Sequence, residues 1–261
     1  MIEIYQELAN VAKKGERAVL ATVISAQGSA PRKAGTKMLV KKDGTYVGTI
    51  GGGHVEQQVQ EKAIEIMHSG EAQIMHFDIS GTEKGAVMIC GGTMDVFLDP
   101  ILPQETLYIF GAGHISHSTV PIAKMMGFQI VVIDPRSDYN NSARFPNADS
   151  LIVEEYKSVF STLNVAEGSY IVICTTGHIF DEQCLEFSVG TKAKYIGMIG
   201  SKKKVTDIRE RLQKKGVSKE KLDSIYAPIG LYIGAETPEE IAISIMAEII
   251  KVRREGGVSL A

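Results

Sequence analysis

The sequence is poor in cysteine and lacks long apolar runs, and each absence excludes a class of protein. The 3 cysteines, Cys90, Cys174 and Cys184, form no C-x-x-C pair. Such an odd and sparse set argues against a disulfide framework and a structural zinc site, and it predicts a reducing, cytoplasmic location. No apolar run approaches the ~20 residues that a membrane-spanning helix needs, so we expect no membrane association.

A strong excess of charge of either sign is also absent. The chain has 28 lysines and arginines against 31 aspartates and glutamates, for a formal net charge of −3. Nothing in this balance favours a nucleic-acid partner. Residues 1–7 are acidic and amphipathic, which is unlike a signal peptide. At 261 residues, the chain has room for one large domain or two small ones.

The most informative stretch runs from residue 106 to residue 136. The short apolar run Leu107–Phe110 is followed at once by Gly111 and by a helix-length segment. A second apolar run, Gln129–Ile133, then ends at Asp134. This order of strand, glycine turn, helix, strand and acid predicts the first unit of a dinucleotide-binding fold.

The residues of this unit also suggest what it binds. Gly111 permits a tight turn, and Gly113 has no Cβ to keep a pyrophosphate from the backbone, while Asp134 is placed to accept hydrogen bonds from a ribose diol. Two features weaken that interpretation, because Ser116 replaces the third glycine and His114 crowds the phosphate position. The stretch therefore predicts the fold firmly and leaves open a dinucleotide, another ligand or none.

The pattern on either side of this unit predicts two domains. Before it, helices are expected at 2–14 and 53–68, with strands at 18–24, 37–41, 46–50, 73–78 and 94–98. Prolines at 100 and 103 favour a linker at 99–103. After it, strand and helix continue to alternate up to a well-capped last helix. We expect an α/β protein with an α+β domain at 1–100 and a Rossmann-like parallel-sheet domain at 104–261.

Three candidate binding features lie in the first domain. Arg32 in the loop at 28–35 offers a donor fork that suits phosphate or carboxylate, although a plain surface arginine fits as well. Gly51, Gly52 and Gly53 precede a helix and suit an anion, while Glu56 either meets a ligand or complements the helix dipole. Cys90 is a candidate metal ligand or sulfur carrier in a glycine-rich turn, or else an inert buried thiol.

Two further features follow strands of the second domain. His178 and Asp181 come after a buried strand, at the sheet edge where such folds place ligands. His178 suits an acid, a base or a metal ligand, and Asp181 either orients it or caps a helix. Gly200 and Ser201 resemble a second phosphate turn with Ser201 as N-cap. The lysines at 202–204 meet phosphate there or solvate a helix face.

Taken together and in order, these stretches resemble one family. They are GSAPRKAG at 28–35, GTIGGGHVE at 48–56, CGG at 90–92, GAGH at 111–114, TTGHIFD at 175–181, YIGMIGSKKK at 195–204 and APIGLYIGAETPEEIA at 227–242. Each motif is weak alone, but the ordered set is similar to the XdhC/CoxI family, the accessory factors of xanthine dehydrogenase and related molybdenum hydroxylases.

The resemblance implies a family-specific N-terminal domain, a Rossmann domain, and a cofactor chaperone rather than a catalyst. Its implied role is to bind molybdenum cofactor (molybdopterin), support its sulfuration and deliver it to the apo-hydroxylase, with a cysteine desulfurase as a further expected partner. A homodimer is expected because a shuttle must shield its cargo and a subunit interface can close a shallow site. Glycine turns would meet the phosphate, Glu56 the pterin edge and Cys90 the metal. The expected cofactor-binding residues are Arg32, Gly51, Gly52, Gly53, Glu56, Cys90, Gly111, Gly113, His114, Asp134, His178, Asp181, Gly200 and Ser201.

Two other functions are weighed against this one. A nicotinamide-dependent oxidoreductase would bind NAD(P) through Gly111, Gly113 and Asp134. A purely structural partner of the hydroxylase would hold no small molecule. The sequence motifs alone leave both open.

Overall fold

The computed structural model describes residues 2–78 and 92–254, except for the side chains of His68 and His178. The chain divides into two compact units, residues 1–103 and 104–261. Within the described ranges, no helix combines the length and the apolar character needed to cross a membrane.

The first unit is built on an antiparallel sheet of five strands. Its elements are α1 (Ile2–Lys14), β1 (Ala18–Gly28), β2 (Lys37–Lys41), β3 (Tyr46–Gly48), α2 (Gly53–Ser69), β4 (Gln73–Asp78) and β5 (Gly92–Ile101). The strands lie in the order β3-β2-β1-β5-β4. The two helices take opposite faces, because side chains alternate along a strand: Val19, Ala21 and Val23 share a cluster with α2, whereas Ala18 packs with residues of α1.

Two strands of this unit are longer than the sequence predicts. β1 continues to Gly28 across an irregularity between Val23 and Ser25, and β5 continues to Ile101. The predicted linker at 99–103 is therefore wrong for residues 99–101. Pro100 is tolerated because it pairs with Val19 on one side only, beyond the point where β4 stops pairing with β5.

The second unit alternates strands and helices. Its elements are β6 (Thr106–Phe110), α3 (His114–Met125), β7 (Gln129–Ile133), β8 (Ser150–Ile152), α4 (Tyr156–Thr162), β9 (Tyr170–Ile173), α5 (His178–Ser188), β10 (Tyr195–Met198), α6 (Lys202–Lys214), α7 (Lys219–Asp223) and α8 (Pro238–Arg254). All four strand pairings are parallel, in the order β10-β9-β6-β7-β8.

This strand order reverses between β6 and β9, which makes their boundary the topological switch point of a Rossmann-type sheet. Leu107 and Ile109 belong to the core shared with α3 and α8, whereas Tyr108 and Phe110 belong to the core on the other face, shared with α4, α5 and α6. The predicted fold class, an α+β unit followed by a Rossmann-like unit, is confirmed.

Residues 226–229 belong to none of these helices and strands, but they run along the outer side of β10. Tyr226 pairs with Gly197 in parallel, and the Ile229 N–H donates to the Met198 carbonyl at 3.0 Å. The loop at 230–237 therefore leaves the sheet at the same edge as the turns that follow β6, β9 and β10.

Candidate functional site

The carboxyl edge of the parallel sheet brings together several sequence motifs that are far apart in the chain. The turn after β6 contains Gly111 and Gly113, the turn after β9 contains Gly177, and the turn after β10 contains Gly200. Ligands of open α/β sheets bind outside the carboxyl ends of the strands, next to the switch point. This edge is therefore the candidate site of the second unit.

The turn after β6 requires glycine at one position and leaves open space at another. Gly111 has a φ of 110°, and a Cβ there would lie 2.3 Å from the Cys174 carbonyl oxygen at the end of β9. Gly113 has a φ of −77° and is the N-cap of α3, with no side-chain hydrogen bond to the helix. A Cβ on Gly113 would have no neighbour within 4 Å, so this position is open toward the edge.

The turn after β9 repeats this arrangement. Gly177 is the N-cap of α5, again with no side-chain cap, and a Cβ there would also meet nothing within 4 Å. Its φ of 109° is one that other residues rarely adopt. Two helix N-termini with free N–H groups thus flank the switch point. Such N-termini carry a partial positive charge and favour anions.

Asp134 is fully buried at the end of β7 and faces the glycine turn. Oδ2 accepts the Ala112 N–H at 2.8 Å and an Arg136 Nη2–H at 2.7 Å. Oδ1 accepts the Arg136 backbone N–H at 3.0 Å and its Nε–H at 2.8 Å. Burial alone would raise the pKa of Asp134, but these hydrogen bonds outweigh it and leave the pKa below its ordinary value. The carboxylate therefore holds the turn as an ion.

Asp181 holds the turn after β9 in the same way. Its Oδ1 accepts the Thr175 backbone N–H at 3.1 Å and the Thr175 hydroxyl at 2.7 Å. Its Oδ2 is paired with the Lys204 ammonium, which also donates to the Ile199 carbonyl at 3.2 Å. Asp181 is wholly buried and the Lys204 side chain is 14% exposed. This ion pair joins the turns after β9 and β10.

The turn after β10 is shaped around that lysine. A Cβ on Gly200 would lie 2.9 Å from Lys204 Cδ, so the lysine stem passes over the glycine. Ser201 is the N-cap of α6, as the sequence predicts, and its hydroxyl accepts the Lys204 N–H at 3.2 Å. Of the three lysines, Lys204 turns inward while Lys202 and Lys203 are exposed.

The two histidines of the site start helices. His114 is the first residue of α3 and is exposed, so it stands beside the open position at Gly113. His178 is the first residue of α5, and its side chain lies outside the described part of the structure.

The first unit gathers its own glycine-rich motifs. A Cβ on Gly51 would lie 2.8 Å from Pro31 Cγ, which places the triple-glycine turn against the loop at 28–35. Arg32 in that loop is exposed. Gly92 at the start of β5 is pressed against the end of β1 and the same loop, since a Cβ there would lie 2.2 Å from the Gln27 carbonyl oxygen and 3.0 Å from the Ala30 backbone nitrogen.

Glu56 is buried in the first turn of α2 and braces the triple-glycine turn. Its Oε1 accepts the Thr49 hydroxyl at 2.5 Å, the Ile50 N–H at 3.1 Å and the Gly52 N–H at 2.9 Å. Gly52 is the N-cap of α2 and makes no side-chain cap. Glu56 thus shapes the backbone around the helix N-terminus.

The structure describes two of the three cysteines. Cys90 lies outside the described residues. Cys174 and Cys184 are both buried free thiols. Burial raises the pKa of Cys174 to about 12 and raises that of Cys184 further. Over the ranges 2–78 and 92–254, no group of three or more His, Cys, Asp or Glu residues could hold a metal.

Sequence reasoning did not single out Arg136 or the inward course of Lys204. Arg136 follows Asp134 by two positions, so the spacing D-P-R was the available signal. Lys204 lies 23 positions from its partner Asp181, and no local pattern links the two.

Comparison with known protein families decides the relationship of the chain. A family model described as the XdhC Rossmann domain matches residues 107–249, and one described as the XdhC and CoxI family matches residues 11–78. The chain belongs to the XdhC and CoxI family. The resemblance inferred from the ordered motifs is thus confirmed.

Individual relatives of this XdhC and CoxI family member agree with the assignment. The uncharacterized protein YqeB of Escherichia coli is 32% identical over 99% of the chain, although the chain spans only 48% of that relative. A protein of Bacillus subtilis described as a probable xanthine dehydrogenase subunit is 28% identical, with 93% of this chain and 95% of that protein covered. The molybdenum cofactor insertion chaperone PaoD of Escherichia coli is 24% identical, with 92% and 84% covered.

A solved structure shares the fold over almost the full length of both chains. It is described as a xanthine dehydrogenase from Bacillus halodurans, and it matches with a TM-score of 0.54 and 26% identity. The match covers 98% of this chain and 97% of the other.

Proposed function

We propose that this chain binds molybdenum cofactor at the carboxyl edge of its parallel sheet and delivers it to a molybdenum hydroxylase of the xanthine dehydrogenase type. Two relatives support the role by name, one as a molybdenum cofactor insertion chaperone and one as a probable component of xanthine dehydrogenase. The observation that carries the proposal is the pair of helix N-termini at Gly113 and Gly177, which lack side-chain caps and flank the switch point.

The donor set at this edge suits the terminal phosphate of the cofactor. Free backbone N–H groups at the starts of α3 and α5 are hydrogen-bond donors for phosphate oxygens. Apart from the neighbouring residues in the chain, no described atom lies within 4 Å of a Cβ placed on Gly113 or Gly177. Asp134 and Asp181 are each paired with a cation, so neither presents an unbalanced negative charge to an anion.

The same edge offers other contacts to a bound phosphate. His114 beside Gly113, His178 at the start of α5, and Gly200 with Ser201 at the start of α6 are the residues that we assign to this role. A bound cofactor supplies the molybdenum and its ligands, and the residues of the chain hold and orient it. They need no metal cluster of their own.

Within the first unit taken by itself, we propose a separate position that recognises a pterin, at Glu56. All three hydrogen bonds described for Glu56 reach Oε1, which leaves Oε2 as an acceptor for the donor edge of a pterin. Arg32 and the turn Gly51–Gly53 provide cationic and backbone donors nearby in that unit. We assign Cys90 to the metal side of the ligand on the basis of its sequence motif alone.

Further parts of the role follow from delivery of a labile cofactor. We propose that the chain supports sulfuration of the cofactor with a cysteine desulfurase, acts in the reducing cytoplasm, and works as a homodimer. An interface between two copies would help to close a shallow site around its cargo.

The direct test is to produce the protein in a host that makes molybdenum cofactor and to identify what co-purifies. We expect the fluorescence of oxidised pterin at about one equivalent per chain, the occupancy of a single site. Co-purified nicotinamide dinucleotide in place of pterin would favour the oxidoreductase instead. Pterin binding no tighter than that of an unrelated Rossmann protein would contradict the proposal.

The variant Gly113→Asp separates binding from folding. Its backbone conformation suits an N-cap aspartate, so the melting temperature should hold or rise slightly. The added carboxylate would face the cofactor phosphate, and we expect affinity to fall at least about tenfold. Gly113→Asn is the matched neutral control, because asparagine has the size and capping ability of aspartate without its charge, and it should lose less affinity than Gly113→Asp. Unchanged affinity in Gly113→Asp would place the phosphate elsewhere.

A further inference from the structure

Asp134 stands where dinucleotide-binding folds place the acid that accepts hydrogen bonds from ribose, and its carboxylate already accepts a full set of hydrogen bonds from the protein. A carboxylate has about four acceptor positions. In Asp134 all four are filled, by the N–H of Ala112, the N–H of Arg136, and the Nε–H and Nη2–H of the Arg136 side chain. The side chain of Asp134 is only 1% exposed.

Arg136 is itself held in place. Its guanidinium carbon lies 4.2 Å from the centre of the Tyr139 ring, so an aromatic face supports the fork that grips Asp134. The Arg136 carbonyl accepts the N–H groups of Tyr139 at 3.0 Å and Asn140 at 2.9 Å. The Asn140 amide in turn donates to the Ile152 carbonyl at 2.8 Å, which fixes this turn to β8.

A ribose diol would need two acceptor positions on the Asp134 carboxylate, and the Arg136 side chain occupies the two that could be vacated. In dinucleotide-binding folds the acid after the second strand accepts hydrogen bonds from the ribose hydroxyls. Two of the four positions of Asp134 are filled by backbone N–H groups, which cannot move away without unfolding the turn. The other two are filled by the side chain of Arg136 alone.

We propose that Arg136 is a specificity-determining residue that closes the ribose position of this Rossmann unit and so excludes dinucleotides that bind there through a free ribose diol. The glycine turn and the strand order keep the geometry of a dinucleotide fold, while the Arg136 fork removes its ribose acceptor. The edge is thereby reserved for ligands that bind through phosphate without a ribose diol at β7. The wild-type protein is therefore expected to reject a dinucleotide that carries a free ribose diol. This inference does not depend on the identity of the cofactor that the chain carries.

Calorimetric titration with ADP-ribose tests the inference by a gain of binding. The wild type should not bind this probe measurably at millimolar concentration. Arg136→Ala frees two acceptor positions and should bind ADP-ribose at least about tenfold more tightly than the wild type, the factor expected for one hydrogen bond to a charged acceptor. Arg136→Met keeps an apolar stem against Tyr139 and should show the same gain in ADP-ribose affinity. It replaces the alanine variant in the test if that variant folds poorly.

Two controls make the result specific. Arg144→Ala removes a guanidinium that lies 4.9 Å from the same Tyr139 ring but does not reach Asp134, and it should gain nothing. The double variant Asp134→Asn with Arg136→Ala should lose the gained affinity, because the amide supplies one acceptor oxygen instead of two. ADP-ribose binding to the wild type would overturn the inference. So would a folded Arg136→Ala or Arg136→Met variant that binds ADP-ribose no better than Arg144→Ala.

Discussion

Three buried carboxylates, those of Glu56, Asp134 and Asp181, share one task in this protein. Each accepts a backbone N–H from a turn that leads into a helix, at Gly52, Ala112 and Thr175 respectively. In the second unit a cation also balances each acid. The acids fix the shape of the turns, and the free helix N–H groups are left on the other side for a ligand.

The sequence could not predict which partners these carboxylates would have. Glycine and acid positions were recognisable because turn chemistry and helix starts are local. The partner of Asp181 lies 23 positions away and depends on how α6 packs beside α5. The assignment of Asp134 to a ribose stays a prediction from the motif, and its four filled acceptor positions argue against it.

Cysteine accessibility gives a prediction at this scale. Cys174 Sγ lies 3.0 Å from the Ser116 hydroxyl, and that hydroxyl donates to the Gly111 carbonyl at 2.6 Å, inside the core beneath the glycine turn. Because burial raises the pKa of both described thiols, little thiolate forms even at pH 8. Brief alkylation at pH 8 should label Cys174 and Cys184 at least about a hundredfold more slowly than in denaturant.

Peptide mapping by mass spectrometry provides the measurement. Cys90, predicted from its motif to be reactive, serves as the internal reference and should be protected by bound cofactor. Labelling of Cys174 as fast as Cys90 in the native protein would contradict the burial described here.

At the scale of elements, the ion pair between Asp181 and Lys204 ties the start of α5 to the start of α6. Lys204→Met would leave the Asp181 carboxylate buried without its cation, and we expect a loss of about 3 kcal/mol in the free energy of unfolding. The double variant Asp181→Asn with Lys204→Met should recover a large part of that loss. Urea unfolding followed by circular dichroism measures both.

Lys203→Met is the matched control for this pair. Lys203 is exposed one position earlier on the same helix, and its loss should change stability by no more than about 0.5 kcal/mol. An equally small effect of Lys204→Met would show that the ion pair contributes little.

The ends of helices and strands could be predicted where a local sequence signal marks them. The last helix begins as its sequence indicates: the Glu240 carboxylate accepts the Thr237 N–H at 3.0 Å, and the Thr237 hydroxyl accepts the Glu240 N–H at 3.3 Å. The end of β5 was missed because Pro100 reads as a linker residue until the length of its neighbour β4 is known. Strand ends depend on partners, whereas helix starts are marked in the sequence.

At the scale of the whole molecule, an oligomer is expected. Tyr232 and Ile233 project from the loop at 230–237, fully exposed and 53% exposed respectively. That loop is fixed from behind, since the Gly230 N–H donates to Glu248 at 3.0 Å. Exposed apolar side chains on a fixed loop are suited to contact with another protein surface.

Light scattering at micromolar concentration should therefore give about twice the chain mass of 28.3 kDa. Tyr232→Ser should weaken the assembly, while Tyr46→Ser, at an exposed tyrosine of the first unit, should not. A monomer with cofactor bound would contradict the proposed dimer.

The segment that runs along β10 has a consequence for how the protein behaves when crowded. A sheet that ends in a long unpaired strand is a template for aggregation. Here Tyr226 and Ile229 take up hydrogen-bonding groups on the outer side of β10, and the opposite margin is β8, only 3 residues long. Within the described residues, the Rossmann unit thus offers little backbone for another chain to extend. Such margins leave the Rossmann unit few exposed backbone groups from which a fibril could be seeded.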